Sequence, residues 1–156
     1  MTQKEQAIIS PMPTDALLYE REAAWRVKLP DDYKEFIKKE NGLIPTKRYF
    51  HFGNNEKVIE RFLAILAISG YKAEEAYDIG VVSTQLEGRI VFDEDNIGMQ
   101  LIPIAALFGG DFLCLNYVEN SENPSMCIWY HEESYELEPA IEFVANNFTE
   151  FLAMLY

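Results

Sequence analysis

Few side chains in this sequence could act directly on a substrate. One possible nucleophile and base are Cys114 and His131, since a histidine can activate a neighbouring thiol. A nucleophilic cysteine needs partial exposure and a positively charged neighbourhood. Cys114 instead lies in an apolar run, in a half of the chain that contains no Lys or Arg. The sequence therefore argues against a cysteine nucleophile.

Two acidic segments have residue types that hold metals or transfer protons. Asp93–Gly98 begins like a calcium loop, but its fifth place is Ile97 and its twelfth is Ile104, where calcium loops supply oxygen ligands. His131–Glu133 could form an acid–base cluster, although a strand end followed by a solvated acidic loop is the favoured interpretation. The two histidines, His51 and His131, lie in separate predicted strands, and their spacing is not that of a zinc site. We predict no metal site.

The Gly109-Gly110 pair does not indicate a phosphate-binding loop. No Lys follows it, and Asp111 would repel a phosphate. The sequence also carries no nucleotide, hydrolase or kinase motif. We therefore predict no cofactor and no catalytic residue, and expect that the protein is not an enzyme.

Charge is distributed very unevenly along the chain, whose formal net charge is −13. Residues 1–89 hold all 13 Lys and Arg against 14 Asp and Glu, whereas residues 90–156 hold 12 Asp and Glu and no Lys or Arg. Such an acidic half repels nucleic acid and anionic membranes, and it attracts a basic partner. Charge that serves solubility alone is the alternative explanation.

The length of 156 residues suits one domain, and 49% hydrophobic residues are ample for a core. Two prolines and little periodicity predict a flexible N-terminal tail at residues 1–13, followed by a single domain at residues 14–156. No apolar run approaches the roughly 20 residues of a membrane span, and the first residues lack a signal-peptide core. These features predict a cytoplasmic protein.

The central stretch Leu101–His131 predicts two strands and a turn. Phe112–Val118 and Ser125–His131 are the strands, and the turn formers between them make the connection. Both strand faces are apolar, which favours a hairpin inside a sheet covered by helices. If the strands pair in register, Cys114 and Cys127 become neighbours, and we expect both to be buried, reduced thiols.

Local signals predict the remaining elements. Thr14 caps a helix that runs to about Arg26, and a second helix begins at Leu29-Pro30 and stops at Asn41-Gly42. Tyr49–Phe52 predicts a strand; Val58–Ile68 fits either a helix or a returning strand, and the adjacent turn favours the strand. Further segments predict a helix over 77–90, an acidic loop over 92–98 and a final helix with apolar residues from Ile141 to Leu155.

Several of these pieces together resemble the SMI1/KNR4 proteins of the SUKH superfamily. The N-terminal signature of that family, a helical Glu followed by Leu-Pro, an aromatic residue and Asn-Gly, is matched at Glu22, Leu29-Pro30, Tyr33, Phe36 and Asn41-Gly42. Later matches are Ile102–Ala105, Gly109–Asp111, Cys114-Leu115, Pro124, Trp129, His131-Glu132, Val144-Ala145, Phe148 and Glu150–Leu152. Arg26 and Leu43 depart from the pattern, where the family often has Gly.

The resemblance implies an α+β fold, with a mostly antiparallel central sheet packed by N-terminal and C-terminal helices. In bacteria it implies an immunity protein that binds and blocks a cognate toxin, often a nuclease. The acidic half fits this role, because a nuclease holds a polyanion and tends to have a basic active face.

The candidate partner-binding residues are the acidic residues of the loops that flank the central strands. They are Asp93, Glu94, Asp95, Glu119, Glu122, Glu132, Glu133, Glu136 and Glu138. Two alternatives to toxin neutralisation are considered: a regulatory scaffold module that binds a cellular partner, and an enzyme that uses these loop carboxylates. The sequence gives neither the identity of the partner nor the oligomeric state.

Overall fold

The computed structural model describes residues 7–95 and 97–156 of the chain. In this part six strands form one antiparallel sheet whose spatial order equals the chain order. The strands are β1 (Tyr49–Phe52), β2 (Asn55–Phe62), β3 (Leu101–Leu107), β4 (Phe112–Asn116), β5 (Ser125–Trp129) and β6 (Ile141–Ala145). The helices are α1 (Asp15–Trp25), α2 (Asp31–Glu40), α3 (Ile79–Leu86) and α4 (Phe148–Met154), with 3₁₀ turns at Ala73–Tyr77 and Glu87–Ile90. The predicted α+β class is confirmed.

The first two helices begin and end where the local signals place them. The Thr14 hydroxyl accepts a hydrogen bond from the Leu17 amide at 3.1 Å and caps α1. Asp31 and Asp32 occupy the first turn of α2, and Lys38 and Lys39 its last turn, so all four charges oppose the helix dipole.

Helices cover both faces of the sheet. Phe62 of β2 pairs with Ala105, which in turn pairs with Leu113, so these three share a face. The Phe62 ring lies 4.8 Å from the Phe36 ring of α2 and 6.4 Å from the Phe148 ring of α4. On the opposite face, Trp129 Nε1 donates to the Arg89 carbonyl, just after α3, at 2.9 Å.

The central hairpin lies inside the sheet, as predicted. Cys114 stands directly opposite Cys127, and both thiols are free and buried. The residue pattern of Leu101–His131 had predicted only two strands, and that was incomplete, because Leu101–Leu107 forms β3 beside β4. All of β3 except Ala106 is buried, so its sequence shows no alternation of polar and apolar residues from which a strand could be predicted.

The ambiguous segment Val58–Ile68 is a strand only as far as Phe62. The favoured interpretation, a hairpin returning from β1, is confirmed by the pairing of Tyr49 with Val58. Beyond Phe62 the backbone is irregular except for a bridge between Ala64 and Asp78.

The final helix is much shorter than predicted. Its expected first half, Ile141–Ala145, is the strand β6 and pairs with β5; the helix begins at Phe148, after the Asn147 cap. Apolar residues at 141, 144, 148 and 151 fit a helix by spacing. The open edge of β5 offers a ladder of hydrogen bonds, however, and this tertiary pairing overrides the helical pattern.

The two edges of the sheet differ. On the outer side of β1, the Tyr49 amide donates to the Tyr156 carbonyl and the Tyr156 amide donates back to Tyr49, at 3.1 and 2.9 Å. Within the described residues no strand pairs with the outer side of β6. At the other terminus, Ile9 of the predicted tail is buried and its amide donates to the Asn41 carbonyl at 2.7 Å; residues 1–6 lie outside the described residues.

Candidate functional site

All nine predicted partner-binding carboxylates belong to exposed residues in loops. Strand direction separates most of them into two groups. Glu119 and Glu122 follow β4 at the end of the sheet where Asn116 pairs with Ser125. The four glutamates from Glu132 to Glu138 follow β5 at the opposite end, beyond Trp129, so five-residue strands of roughly 3.4 Å per residue separate the groups. The predicted surface is therefore divided over two ends.

The third predicted group, Asp93–Asp95, lies in the connection between the turn that ends at Ile90 and the start of β3. The Met99 amide donates to the Trp25 carbonyl at 2.9 Å and fixes the end of this connection against α1. Asn96 lies outside the described residues, so the interrupted calcium-like loop has no complete geometry. Among the described residues, no group of three or more His, Cys, Asp or Glu side chains is placed to hold a metal.

The first of the two ends carries a groove of ≈620 Å³, which we call the acidic groove. Three segments far apart in sequence enclose it: residues 28–32 at the start of α2, residues 122–124 between β4 and β5, and residues 146–150 at the start of α4. Its lining contains four carboxylates and one lysine: Asp31, Asp32, Glu122, Glu150 and Lys28. Of these carboxylates the sequence predicted only Glu122 as a binding residue.

Two of the groove carboxylates have structural partners and two face solvent. Asp32 accepts from the amide and hydroxyl of Thr149 at 3.0 and 2.7 Å, and so joins the starts of α2 and α4. Glu150 accepts from Asn147 Nδ2 at 3.2 Å. The Asp31 side chain is 91% exposed and lies 3.8 Å from Lys34 Nζ, a contact of little energy at the surface. Asp31 and Glu122 are therefore the groove carboxylates most available to a ligand.

The opposite end carries the connection between β5 and β6, residues 130–140, which we call the acidic loop. The Arg89 guanidinium binds the backbone of this loop, because it donates to the carbonyls of Ser134, at 3.1 Å, and of His131. The guanidinium also lies 5.2 Å from the centre of the Trp129 ring. The Ser134 hydroxyl accepts from the Ala140 amide at 2.9 Å. These bonds hold the loop backbone in one conformation while its carboxylates stay in solvent.

Backbone hydrogen bonds also hold the acidic loop in place. The amides of Tyr135 and Glu138 each donate to the carbonyl of the other, at 3.1 and 2.9 Å, and the Leu137 amide donates to the Gly88 carbonyl at 2.9 Å. The Tyr135 ring remains 63% exposed between the carboxylates. An exposed aromatic ring on an ordered acidic loop is a suitable anchor for a protein partner.

His131 belongs to a hydrogen-bonded pair with Asp111 and not to a cysteine nucleophile. Its Nδ1 lies 3.0 Å from Asp111 Oδ1, which also accepts the His131 amide at 2.9 Å. Cys114 is fully buried, and burial, followed by the neighbouring Cys127 thiol, raises its pKa well above the ordinary value. A buried, protonated thiol has neither access to substrate nor nucleophilic strength.

Tyr130, the first residue of the acidic loop, makes a side-chain hydrogen bond with Glu142 of β6. Burial, and next a hydrogen bond with the Glu142 carboxylate, raise the pKa of Tyr130 to about 12. The ammonium of Lys57 lies 5.4 Å from the centre of its ring. Sequence reasoning missed four further acidic residues of these candidate surfaces, because it placed them in helices or at helix termini, although their negative charge was an available signal. They are Asp31, Asp32, Glu142 and Glu150.

Comparison with known proteins bears on the family. One solved structure, a protein from Pseudomonas syringae pv. tomato, aligns over 86% of each chain with 18% identity and a TM-score of 0.48. The comparison with curated proteins found no match. None of the helices in the described ranges is long and apolar enough to cross a bilayer. The family model described as SMI1-KNR4 cell-wall, SUKH_6, matches residues 15–152. Since this match spans most of the chain, the chain belongs to the SMI1/KNR4 family of the SUKH superfamily.

Proposed function

We propose that this protein is a bacterial immunity-type protein that binds and neutralises a cognate basic toxin, with nucleases the favoured toxin class. It acts in the cytoplasm by occupying the active face of the toxin and transforms no substrate. One observation carries the proposal. After Arg89 the chain contains no Lys or Arg, and nine of the twelve acidic residues there lie in exposed loops, six of them at the two ends of the central strands.

Physical complementarity supports this assignment. A nuclease uses Lys and Arg to hold phosphates, so its active face carries positive charge. Clustered carboxylates on an inhibitor raise the rate of encounter with such a face by roughly 10- to 1,000-fold at low salt. The acidic loop contributes four exposed carboxylates held on an ordered backbone. A loop that is already ordered loses little conformational entropy when it binds a partner.

Co-expression with a toxin tests the proposal directly. We expect a reading frame beside this gene to arrest growth when expressed alone, and growth to be restored when this protein is made with it. Purified toxin and this protein should then form a complex in which the toxin activity is lost. If the two proteins associate while the neighbouring product is harmless, the scaffold alternative is the correct one. If no partner is captured and the protein shows a hydrolytic activity of its own, both interaction hypotheses are wrong.

Charge reversal locates the surface that contacts the toxin. We expect the triple variant Glu132→Lys, Glu133→Lys and Glu136→Lys to bind the toxin with an association rate constant about tenfold lower at 20 mM salt, because steering by the acidic loop is lost. The difference should nearly disappear at 0.5 M salt, where charges are screened within about 4 Å. Stopped-flow fluorescence over a salt series measures both the rate and the salt slope.

A matched control separates the acidic loop from net charge. The triple variant Glu20→Lys, Glu60→Lys and Glu74→Lys changes the total charge by the same amount at three other exposed positions. We expect it to change the association rate by less than threefold. Equal effects of the two triple variants would assign the steering to net charge alone, and an unchanged salt slope in the first would exclude the acidic loop from the interface.

A further inference from the structure

The outer edge of β6 exposes backbone hydrogen-bonding groups. The Tyr130 amide donates to the Ala140 carbonyl, so the backbone groups of residue 140 point toward β5. Backbone groups alternate in direction along a strand. Those of Glu142, which pairs with Ile128, therefore also point toward β5, whereas those of Ile141 and Phe143 point away from the sheet. Within residues 7–95 and 97–156 no strand pairs with these two amides and two carbonyls, so they can form hydrogen bonds with an added strand.

The side chains along this edge suit a second strand on one face. Phe143 stands opposite Cys127 and is 59% exposed, although its strand neighbour Cys127 is fully buried. Ile141, on the same face, is half-buried. A strand laid along β6 would cover the exposed Phe143 ring. The register shift between β5 and β6 falls at Val144, and this bulge confines the regular part of the edge to Ile141–Phe143.

Negative charge lies at both ends of the edge. The acidic loop runs directly into Ile141, and residues 146 and 147, just after Ala145, line the acidic groove. Glu142 adds an exposed carboxylate between them. A segment lying along β6 therefore has carboxylates near both of its ends and Glu142 between them, which favours Lys and Arg in the occupant.

A second copy of the chain fits this edge poorly. Each copy carries a net charge of −13, and pairing two β6 strands would bring together their acidic loops and their Glu142 carboxylates. Charged residues at an edge commonly prevent such self-association. The occupant that the charges favour is a different protein with a basic, extended segment.

We propose that β6 accepts an extended, basic segment of the protein partner as a seventh strand of the sheet. Backbone hydrogen bonds to Ile141 and Phe143 provide the attachment, and the acidic loop and acidic groove select Lys and Arg toward the two ends of the segment. This inference rests on the proposed function in so far as the partner is a basic protein. It adds the mode by which that partner is held.

A pair of variants at one residue isolates the backbone contribution. Phe143→Ala removes the exposed ring and keeps the amide, whereas Phe143→Pro removes both. Because that amide points away from β5, proline there breaks no hydrogen bond within the sheet. The probe is a fluorescently labelled peptide of nine residues in which lysine and valine alternate, and anisotropy at 50 mM salt measures its affinity. We expect Phe143→Ala to weaken binding about threefold and Phe143→Pro at least tenfold more.

Two control peptides test the occupant. A peptide with glutamate in place of lysine should not bind. A peptide with the same lysines separated by prolines, which cannot add to a ladder, should bind at least tenfold more weakly than the alternating peptide. If the proline-containing peptide binds equally well, the attraction is electrostatic only and the seventh-strand proposal is wrong. A wild-type dimer in sedimentation that Phe143→Pro dissociates would also overturn it, since the occupant would then be a second copy.

Hydrogen exchange gives a test that does not depend on the proline variant folding. The alternating peptide should slow exchange of the Ile141 and Phe143 amides and leave the His51 amide, on the opposite edge, unchanged. Unchanged exchange at Ile141 and Phe143 in the peptide complex would contradict the proposal. If the whole toxin is neutralised equally by wild type and Phe143→Pro, only the binding mode is wrong. If no basic protein is bound or neutralised, the proposed function itself fails.

Discussion

Replacing Asn41 with alanine is expected to lower the free energy of unfolding by about 3–5 kcal/mol, since several buried backbone groups lose their partner at once. The Asn41 side chain is fully buried. The two hydrogens of its amide nitrogen are shared among the carbonyls of Ile9, Pro11 and Ile65, which lie at 3.3, 3.1 and 3.2 Å, and its oxygen accepts from the Ile65 amide at 2.9 Å. This one side chain connects the N-terminal segment, the end of α2 and the strand connection after β2.

Urea denaturation followed by circular dichroism measures this change. Asn123→Ala is the control, because Asn123 is an exposed loop residue whose truncation should cost no more than about 0.5 kcal/mol. Exchange of the Ile65 amide should accelerate in Asn41→Ala more than exchange elsewhere in the core. A loss below about 1 kcal/mol, with the Ile65 amide still protected, would contradict the role assigned to this asparagine.

The Asp78→Ala variant is expected to lose about 3–5 kcal/mol as well, because it removes one partner of a largely buried ion pair. The Asp78 side chain is 1% exposed and that of Arg21 is 13% exposed. The carboxylate accepts from Arg21 Nη1 at 3.2 Å, from the Leu66 amide at 2.8 Å and from the Val81 amide, at the start of α3, at 3.2 Å. Truncation therefore removes the cap of α3 together with the ion pair.

A second aspartate provides a matched comparison. Asp31 also has a lysine partner, but its side chain is 91% exposed, so Asp31→Ala should change the free energy of unfolding by no more than about 0.5 kcal/mol. A double-mutant cycle of Asp78→Ala with Arg21→Ala should give a coupling energy between about 0.5 and 3 kcal/mol. If Asp78→Ala and Asp31→Ala cost the same, burial does not strengthen the Arg21–Asp78 pair.

Elements with local signals could be predicted from the sequence. Helix α2 carries Pro30 before its first turn, aspartates at its start and lysines at its end, and each signal acts within a few residues of where it lies. The Asn41-Gly42 stop is more than a helix terminator, however. Gly42 has a φ of 65°, and a Cβ there would lie 2.6 Å from Ile9 Cδ1. That contact depends on a segment 33 residues earlier in the chain and could not be foreseen.

Strand β6 was mispredicted because the deciding interaction is distant in sequence. Ile141 and Val144 fit the spacing of a helix that continues to Phe151, and only the presence of β5 alongside makes the strand more favourable. The strand β3 was missed for a related reason: burial on both faces removes the alternation by which a strand is recognised.

The acidic character of the candidate surfaces could be predicted from the sequence, whereas their residues were predicted only in part and their arrangement was not predicted. Exposure of the loop carboxylates follows from their charge, whereas their division over two ends follows from strand direction, which no single segment encodes. The acidic groove joins three segments that are far apart in the sequence. Similarly, Arg89 lies outside the acidic half by numbering, yet its guanidinium binds the backbone of the acidic loop.

The partial closure of the outer side of β1 by Tyr156 has a consequence for assembly. Addition of chains edge to edge builds a fibre only when every molecule has two free edges, one for each neighbour. Here the backbone of Tyr156 occupies the outward groups of Tyr49, so a molecule that binds another strand along β6 has only the outward groups of His51 left on its other edge to offer the next one. Even at high concentration, growth by strand addition should stop at a pair, and the protein should resist amyloid-like polymerisation that starts from its native state.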